Sequence, residues 1–133
     1  MNIDLEPAVS ILRRELPSLA GVYVFGSVAA GTALPDSDVD LAFHAGRAAN
    51  QGKIVMLREM LSAALRRDVD LVDLAAAPTT LQMQVLREGR LLAAQDAFAI
   101  GMFELRVLRD YHDLKIRRAV IEADIVRRGR VHA

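Results

Sequence analysis

Apolar residues recur along the chain in two rhythms, one helical and one alternating. Leu5, Ala8, Leu12, Leu16 and Leu19 keep helical spacing, with Asp4 placed to cap the first turn and Pro17 placed to end the helix. Residues 21–25, Gly-Val-Tyr-Val-Phe, lack polar alternation, as expected of a central strand covered on both faces. Residues 27–32 have the length of a short helix, and Gly31 and Pro35 punctuate the turn that follows. Residues 38–43 alternate, Val39, Leu41 and Phe43 pointing one way and Asp38 and Asp40 the other. Ile54, Leu57, Leu61 and Leu65 predict a helix over 50–66 that closes on Arg66 and Arg67, where the helix dipole favours cations. A strand over 68–74 sets Val69 and Leu71 on one face, Asp68 and Asp70 on the other, with Asp73 turned away from that pair. Thr79 or Thr80 can start a helix that runs to Gly89, a C′ glycine, and Leu91 with Leu92 suggest a short fourth strand. From Asp96 to about Arg128 the pattern is helical without a proline, as one long helix or two in succession. Phe98, Met102 and Leu105 form one apolar stripe there; Val107, Tyr111, Leu114, Ile121 and Ile125 form another at a different angle, so two contacts are expected.

Alternating helices and strands in 133 residues predict one α/β domain with a single sizeable core. Seventeen basic and seventeen acidic side chains cancel, leaving no overall field to gather long nucleic acid or an anionic membrane. The absence of cysteine excludes disulfides, thiolate catalysis and zinc-thiolate sites and fits a reducing compartment, the cytoplasm. No apolar stretch approaches a membrane span, and Asp4 and Glu6 stand where a signal peptide needs positive charge.

The chemistry concentrates between residues 22 and 43. An apolar strand closing on Gly26 and Ser27 can present backbone amides and a hydroxyl to an anion at a helix start. Asp38 and Asp40, two apart on one strand face, lie roughly 6–7 Å from each other and can converge on a pair of divalent cations. Hard oxygen ligands suit magnesium, two ions serving a nucleotidyl transfer. Such a site usually takes a third carboxylate, and Asp70 offers one, further inside its strand than Asp68 and nearer the level of Asp40. Asp38, Asp40 and Asp70 are therefore the expected metal-binding and catalytic set. His44, at the end of the Asp38–Asp40 strand, reads as a surface residue. Lys115, Arg117, Arg118, Arg127, Arg128 and Arg130 gather positive charge toward the C-terminus and read as the solvated end of a helix.

Gly26, Ser27, Asp38 and Asp40 match the G-S-x10-D-x-D signature of the DNA polymerase beta-like nucleotidyltransferases, and the chain resembles their smallest branch, the minimal nucleotidyltransferase (MNT) antitoxins. Val69-Asp70-Leu71-Val72 looks like the family's third-carboxylate strand, and Tyr111-His-Asp-Leu-Lys115 followed by Arg118 looks like the C-terminal helix of these antitoxins. The resemblance implies a nucleotidyltransferase fold of class α+β: a small mixed sheet of three to four strands flanked by helices over residues 1–95, and a long helical segment over 96–133. It also implies ATP as co-substrate and a HEPN-family ribonuclease toxin as partner, whose tyrosine receives AMP. Gly26 and Ser27 would then hold the ATP phosphates. Arg106 and His112 have the R-x5-H spacing of HEPN ribonucleases, but that activity needs a helical bundle, so the spacing reads as coincidence. Two other functions share these residues: a binding antitoxin that occludes its toxin through the second helical stripe, and a small-molecule transferase of the aminoglycoside-modifying kind.

Overall fold

A computed structural model of the protein describes residues 3–132, the last three by their backbone alone. Nine elements follow in order: α1 (Glu6–Glu15), β1 (Gly21–Phe25), α2 (Gly26–Ala30), β2 (Val39–His44), α3 (Gln51–Leu65), β3 (Val69–Asp73), α4 (Thr79–Glu88), β4 (Arg90–Ala94) and α5 (Ala97–His132). The strands make one mixed sheet in the order β3-β2-β1-β4. β1 runs antiparallel to β2 and to β4, whereas β2 and β3 are parallel and joined through α3, the crossover that parallel pairing requires.

Strand alternation splits the interior into two layers. Val22, Val24, Leu41, Phe43 and Leu71 meet α1 and α3 through Leu12, Leu57 and Leu61. On the opposite face Tyr23, Phe25 and Ala42 meet Val85 of α4 and Ile100, Phe103 and Val107 of α5. β1 is buried along its whole length, as its uninterrupted apolar run predicts. Among the described residues no helix is long and apolar enough to cross a membrane.

Helix ends show where local chemistry decided the boundary. Asp4 accepts the Glu6 N–H at 3.1 Å, but Leu5 occupies the N-cap position and Pro7 the first turn. Asn50 caps α3 by accepting the Lys53 N–H at 2.8 Å, and Asp96 accepts from Ala99 at 3.0 Å at the start of α5. Gly89 does not act as a left-handed C′ glycine. Its φ of −93° is open to any residue. Glycine is needed there because a Cβ would stand 2.9 Å from the Val24 carbonyl oxygen, where the end of α4 abuts β1.

The C-terminal segment is one 36-residue helix, about 54 Å long. The stripe that packs on the sheet is Ile100, Phe103 and Val107, while Phe98, Met102 and Leu105 are exposed. Gly21 sets this orientation: a Cβ there would lie 2.8 Å from Ile100 Cγ1, so the missing side chain lets Ile100 settle on β1. Phe103 and Val107 follow on the same face at i+3 and i+7. The second expected stripe starts buried at Val107, is half-covered at Tyr111 and Leu114, and is exposed at Ile121 and Ile125.

Candidate active site

β1 ends at Phe25, and the chain turns at once into the five-residue α2. Gly26 makes that turn with φ +69°, a left-handed conformation that L side chains rarely adopt. A Cβ at Gly26 would clash with Oδ2 of Asp40 and lie 3.0 Å from its Cγ. The β1–α2 turn and the carboxylate of β2 are therefore in direct apposition, as the sheet register requires: Phe25 pairs with Asp40. α2 closes on Gly31, also left-handed, and Thr32 N–H returns to the Ser27 carbonyl at 3.0 Å.

On the other side of β2, Asp40 pairs with Asp70 of β3, and the parallel register places Val39 beside Val69. Asp38 and Asp68 precede those two valines, and Val39 N–H donates to the Asp68 carbonyl at 2.9 Å. The four aspartates thus stand in two rows on the α4/α5 face of the sheet, with Asp40 and Asp70 in the inner row. Asp40 is the more shielded, and burial, then the charge of Asp70, then that of Asp38 raise its carboxyl above the ordinary range. Asp73 points to the opposite face, accepting from Ala49 at 2.7 Å and from Ala75 at 3.1 Å.

A groove of about 440 Å³ opens at the β3 edge, lined by Asp38, Asp68 and Asp70 and by Arg58, Glu59 and Ser62 of α3. Arg58 reaches Asp70 at 4.0 Å across exposed surface. Among the described residues no three acidic or histidine side chains already enclose one ion. Magnesium fits such a set, because it is usually held by one or two carboxylates, with water and phosphate oxygens filling its other positions. The raised Asp40 carboxyl is the electrostatic sign of that fit: clustered anions favour a cation beside them.

Two arginines beside this groove were not anticipated as site residues. Arg67, expected only to complement the α3 dipole, donates to the Leu34 and Ser37 carbonyls at 3.3 Å each and so ties down the loop that delivers Asp38. Arg58 lies on α3 with no motif to mark it. Both depend on a loop and a helix meeting across the β3 edge, which periodicity does not reveal.

His44 is not on the surface. It is 95% buried at the far end of β2, stacked on Phe103 with 4.4 Å between ring centroids. Burial, then Arg106, hold its pKa below the ordinary value, with Asp73 opposing. α5 covers this strand end, which a reading of β2 alone cannot show. Arg106 leans over Phe103, and His112, six positions further along the helix, is turned about 240° from it, so the R-x5-H pair does not converge. Of the C-terminal basic run, Arg127 and Arg128 both pair with Asp124; the Arg130 side chain lies outside the described residues.

Residues 7–98 match the family described as polymerase beta, nucleotidyltransferase. The protein adenylyltransferase MntA of Shewanella oneidensis is 34% identical over 120 residues, which span 89% of this chain and 84% of that protein. A crystal structure of a toxin–antitoxin complex with AMP-PNP is similar at a TM-score of 0.83 and 31% identity, over 93% of this chain and 99% of the matched chain. A structure of the tri-AMPylated Shewanella oneidensis HEPN toxin in complex with its MNT antitoxin is similar at 0.72 and 30%, over 89% and 92%.

Proposed function

We propose that this chain, which belongs to the polymerase beta nucleotidyltransferase family, is a protein adenylyltransferase and antitoxin that moves AMP from ATP to a tyrosine of a HEPN-family ribonuclease toxin and so silences it. The observation that carries the reading is the apposition of Gly26 to Asp40 with Asp70 alongside, which brings the β1–α2 turn against clustered carboxylates. The likeness to an adenylyltransferase and to antitoxin structures supports AMP as the transferred group and a HEPN protein as the acceptor. The exposed apolar residues along the outer half of α5, Ile116, Val120, Ile121 and Ile125, support a protein rather than a small molecule as partner. The cytoplasm, where ATP and RNA meet, is the compartment this assigns.

In this reading Gly26 and Ser27 receive the ATP phosphates, Gly26 because only a residue without Cβ leaves them and Asp40 room together. Asp38 and Asp40, with Asp70, would hold two magnesium ions. Such ions, when bound, offset the charge that develops on the phosphates during transfer. Asp70 takes the proton of the tyrosine hydroxyl; that oxygen bonds to the α-phosphorus while the bond to the departing diphosphate breaks. Every atom is then accounted for as AMP-tyrosine, diphosphate and one proton.

Mass spectrometry of the toxin after incubation with this protein, ATP and magnesium should show AMP on tyrosine, and none with the Asp38→Ala, Asp40→Ala double variant. A double variant that still protects cells from the toxin as well as wild type would instead make this an antitoxin that works by occlusion.

A further inference from the structure

The face of α5 that turns away from the sheet is apolar without being covered. Phe98, Met102 and Leu105 recur at spacings of four and three, and each is exposed. The same alternation continues through Arg109, His112 and Ile116 to Ala119 and Ala123, all exposed, along about 38 Å of helix. A repeat of about 3.5 residues kept up for nearly four heptads is the pattern of a helix that winds about another helix. Ile100, Phe103 and Val107, which hold α5 to the sheet, lie on the opposite side and leave this seam open to a second helix.

A groove of about 460 Å³ borders the inner half of the seam, lined by Ala99, Met102, Leu105, Arg106 and Arg109 beside the buried Phe103 and His44. Arg106 leans over Phe103, and among the described residues neither it nor Asp113 is in an ion pair. These two lie on one flank of the seam, two turns and about 10 Å apart, too far to pair within the chain.

We infer that the seam joins α5 to α5 of a second copy of this chain, antiparallel about a two-fold axis level with Asp110 and Tyr111. In that register the helix complements itself. Phe98 falls opposite Ala123 of the second copy, Met102 opposite Ala119 and Leu105 opposite Ile116, so bulky residues meet smaller ones and the layers interdigitate. Arg109 falls opposite His112 in the two central layers, a polar step of the kind that fixes register. Arg106 falls opposite Asp113, and the two-fold axis makes this contact twice, giving each charge the partner it lacks within the chain. Ile116 and Val120 of the second copy then cover the groove beside Arg106. A parallel pair would set Arg109 against Arg109 and Phe98 against Phe98. The complementary layers are already present in the chain's own sequence, which is why the occupant is a second copy rather than a foreign helix. Ile121 and Ile125 are turned roughly 140–180° from Phe98 and stay free for another protein. The pairing does not depend on the transfer reading above.

The test is sedimentation equilibrium of the full chain without toxin. Wild type at about 100 μM should show twice the 14.6 kDa chain mass. The double variant Leu105→Asp, Ile116→Asp should raise the dimer dissociation constant at least about a hundredfold. Arg106→Asp and Asp113→Arg should each raise it about tenfold, because either one sets like charges together at both symmetric contacts. Combined in one chain, those two should bring it back to within about threefold of wild type, a rescue that a misfolded variant would not give. Because the chain has no cysteine, oxidation reads the register: Met102→Cys chains mixed with Ala119→Cys chains should crosslink, and Met102→Cys chains alone should not. Wild-type monomer at that concentration overturns the pairing. Charge exchange without rescue, or crosslinking of Met102→Cys chains alone, overturns the antiparallel register. A monomer whose Leu105→Asp, Ile116→Asp variant loses the toxin would assign the seam to the toxin and also overturn it. AMP transfer is read in none of these experiments, so failure of the transferase reading leaves their outcome unchanged.

Discussion

Gly26 leaves vacant the volume that the Asp40 carboxylate approaches, so a turn in one strand and a side chain of the next share a single space. Their sequence separation is fourteen residues, but Phe25 and Asp40 are direct partners in the sheet. Replacing Gly26 with alanine should therefore act twice. The left-handed φ costs roughly 1–2 kcal/mol of stability. The new methyl group also displaces Asp40, and misplacement on the order of 1 Å is enough to cost about a hundredfold in rate. Gly31→Ala separates the two effects, because Gly31 is also left-handed but nothing lies near the position of its Cβ. Chemical denaturation and AMP transfer should show both variants destabilised and only Gly26→Ala inactive.

Asp40 should make stability depend on magnesium and on pH. Its carboxyl is raised by burial, then by Asp70 and Asp38. A carboxyl raised on folding keeps a proton that the unfolded chain releases. The stability it contributes is full below the unfolded value of 3.8 and lost as pH rises through the folded value. At neutral pH without metal its charge is therefore a cost. Asp40→Asn should melt higher than wild type in chelator and gain less from added magnesium. A lower Tm for the variant in chelator would count against this account.

The register distinguishes the two aspartates at the start of β3. Asp70 pairs with Asp40, whereas Asp68 lies in the outer row beyond the strand. Asp70→Asn should reduce transfer by at least about a hundredfold, as loss of a proton acceptor does. Asp68→Asn should leave the rate near that of wild type. Initial rates of diphosphate release decide between them, and the reverse order would move the third carboxylate to Asp68.

His44 should limit stability in acid. Its pKa is lowered by burial and by Arg106. A histidine lowered on folding contributes stability that is full above the unfolded value of 6.5 and is lost as pH falls through the folded value. His44→Phe keeps the stack on Phe103 and removes the titrating group. Its Tm should fall less steeply than that of wild type below pH 6.5, with little difference at pH 8. An identical acid slope in both proteins would mean that other groups set it.

The outer half of α5 should bind the partner without supporting the fold. Ile121 and Ile125 are 55% and 61% exposed, one turn apart on one helix face. The double variant Ile121→Asp, Ile125→Asp should change stability by no more than about 0.5 kcal/mol yet weaken toxin binding in pull-down or calorimetry. Full toxin binding by this variant would place the contact elsewhere.

What the sequence determined by itself was local and periodic. The apolar run of residues 21–25, the alternation at 38–43 and 68–74, and the Gly26-Ser27 and Asp38-x-Asp40 spacing fix the strands, their faces and the candidate chemistry, because side-chain direction repeats every two residues. They also leave α5 ambiguous, since two apolar stripes fit one helix. The tertiary structure laid neither stripe as a whole on the sheet but Ile100, Phe103 and Val107, through the room that Gly21 leaves for Ile100, and thereby buried His44 and exposed Phe98. It decided too that Asp70 is level with Asp40, that Arg67 holds the Asp38 loop, and that Arg87 meets Tyr111. Each of these relations joins segments far apart in the chain. Strand register and helix orientation set them, and both are fixed by packing across the whole sheet.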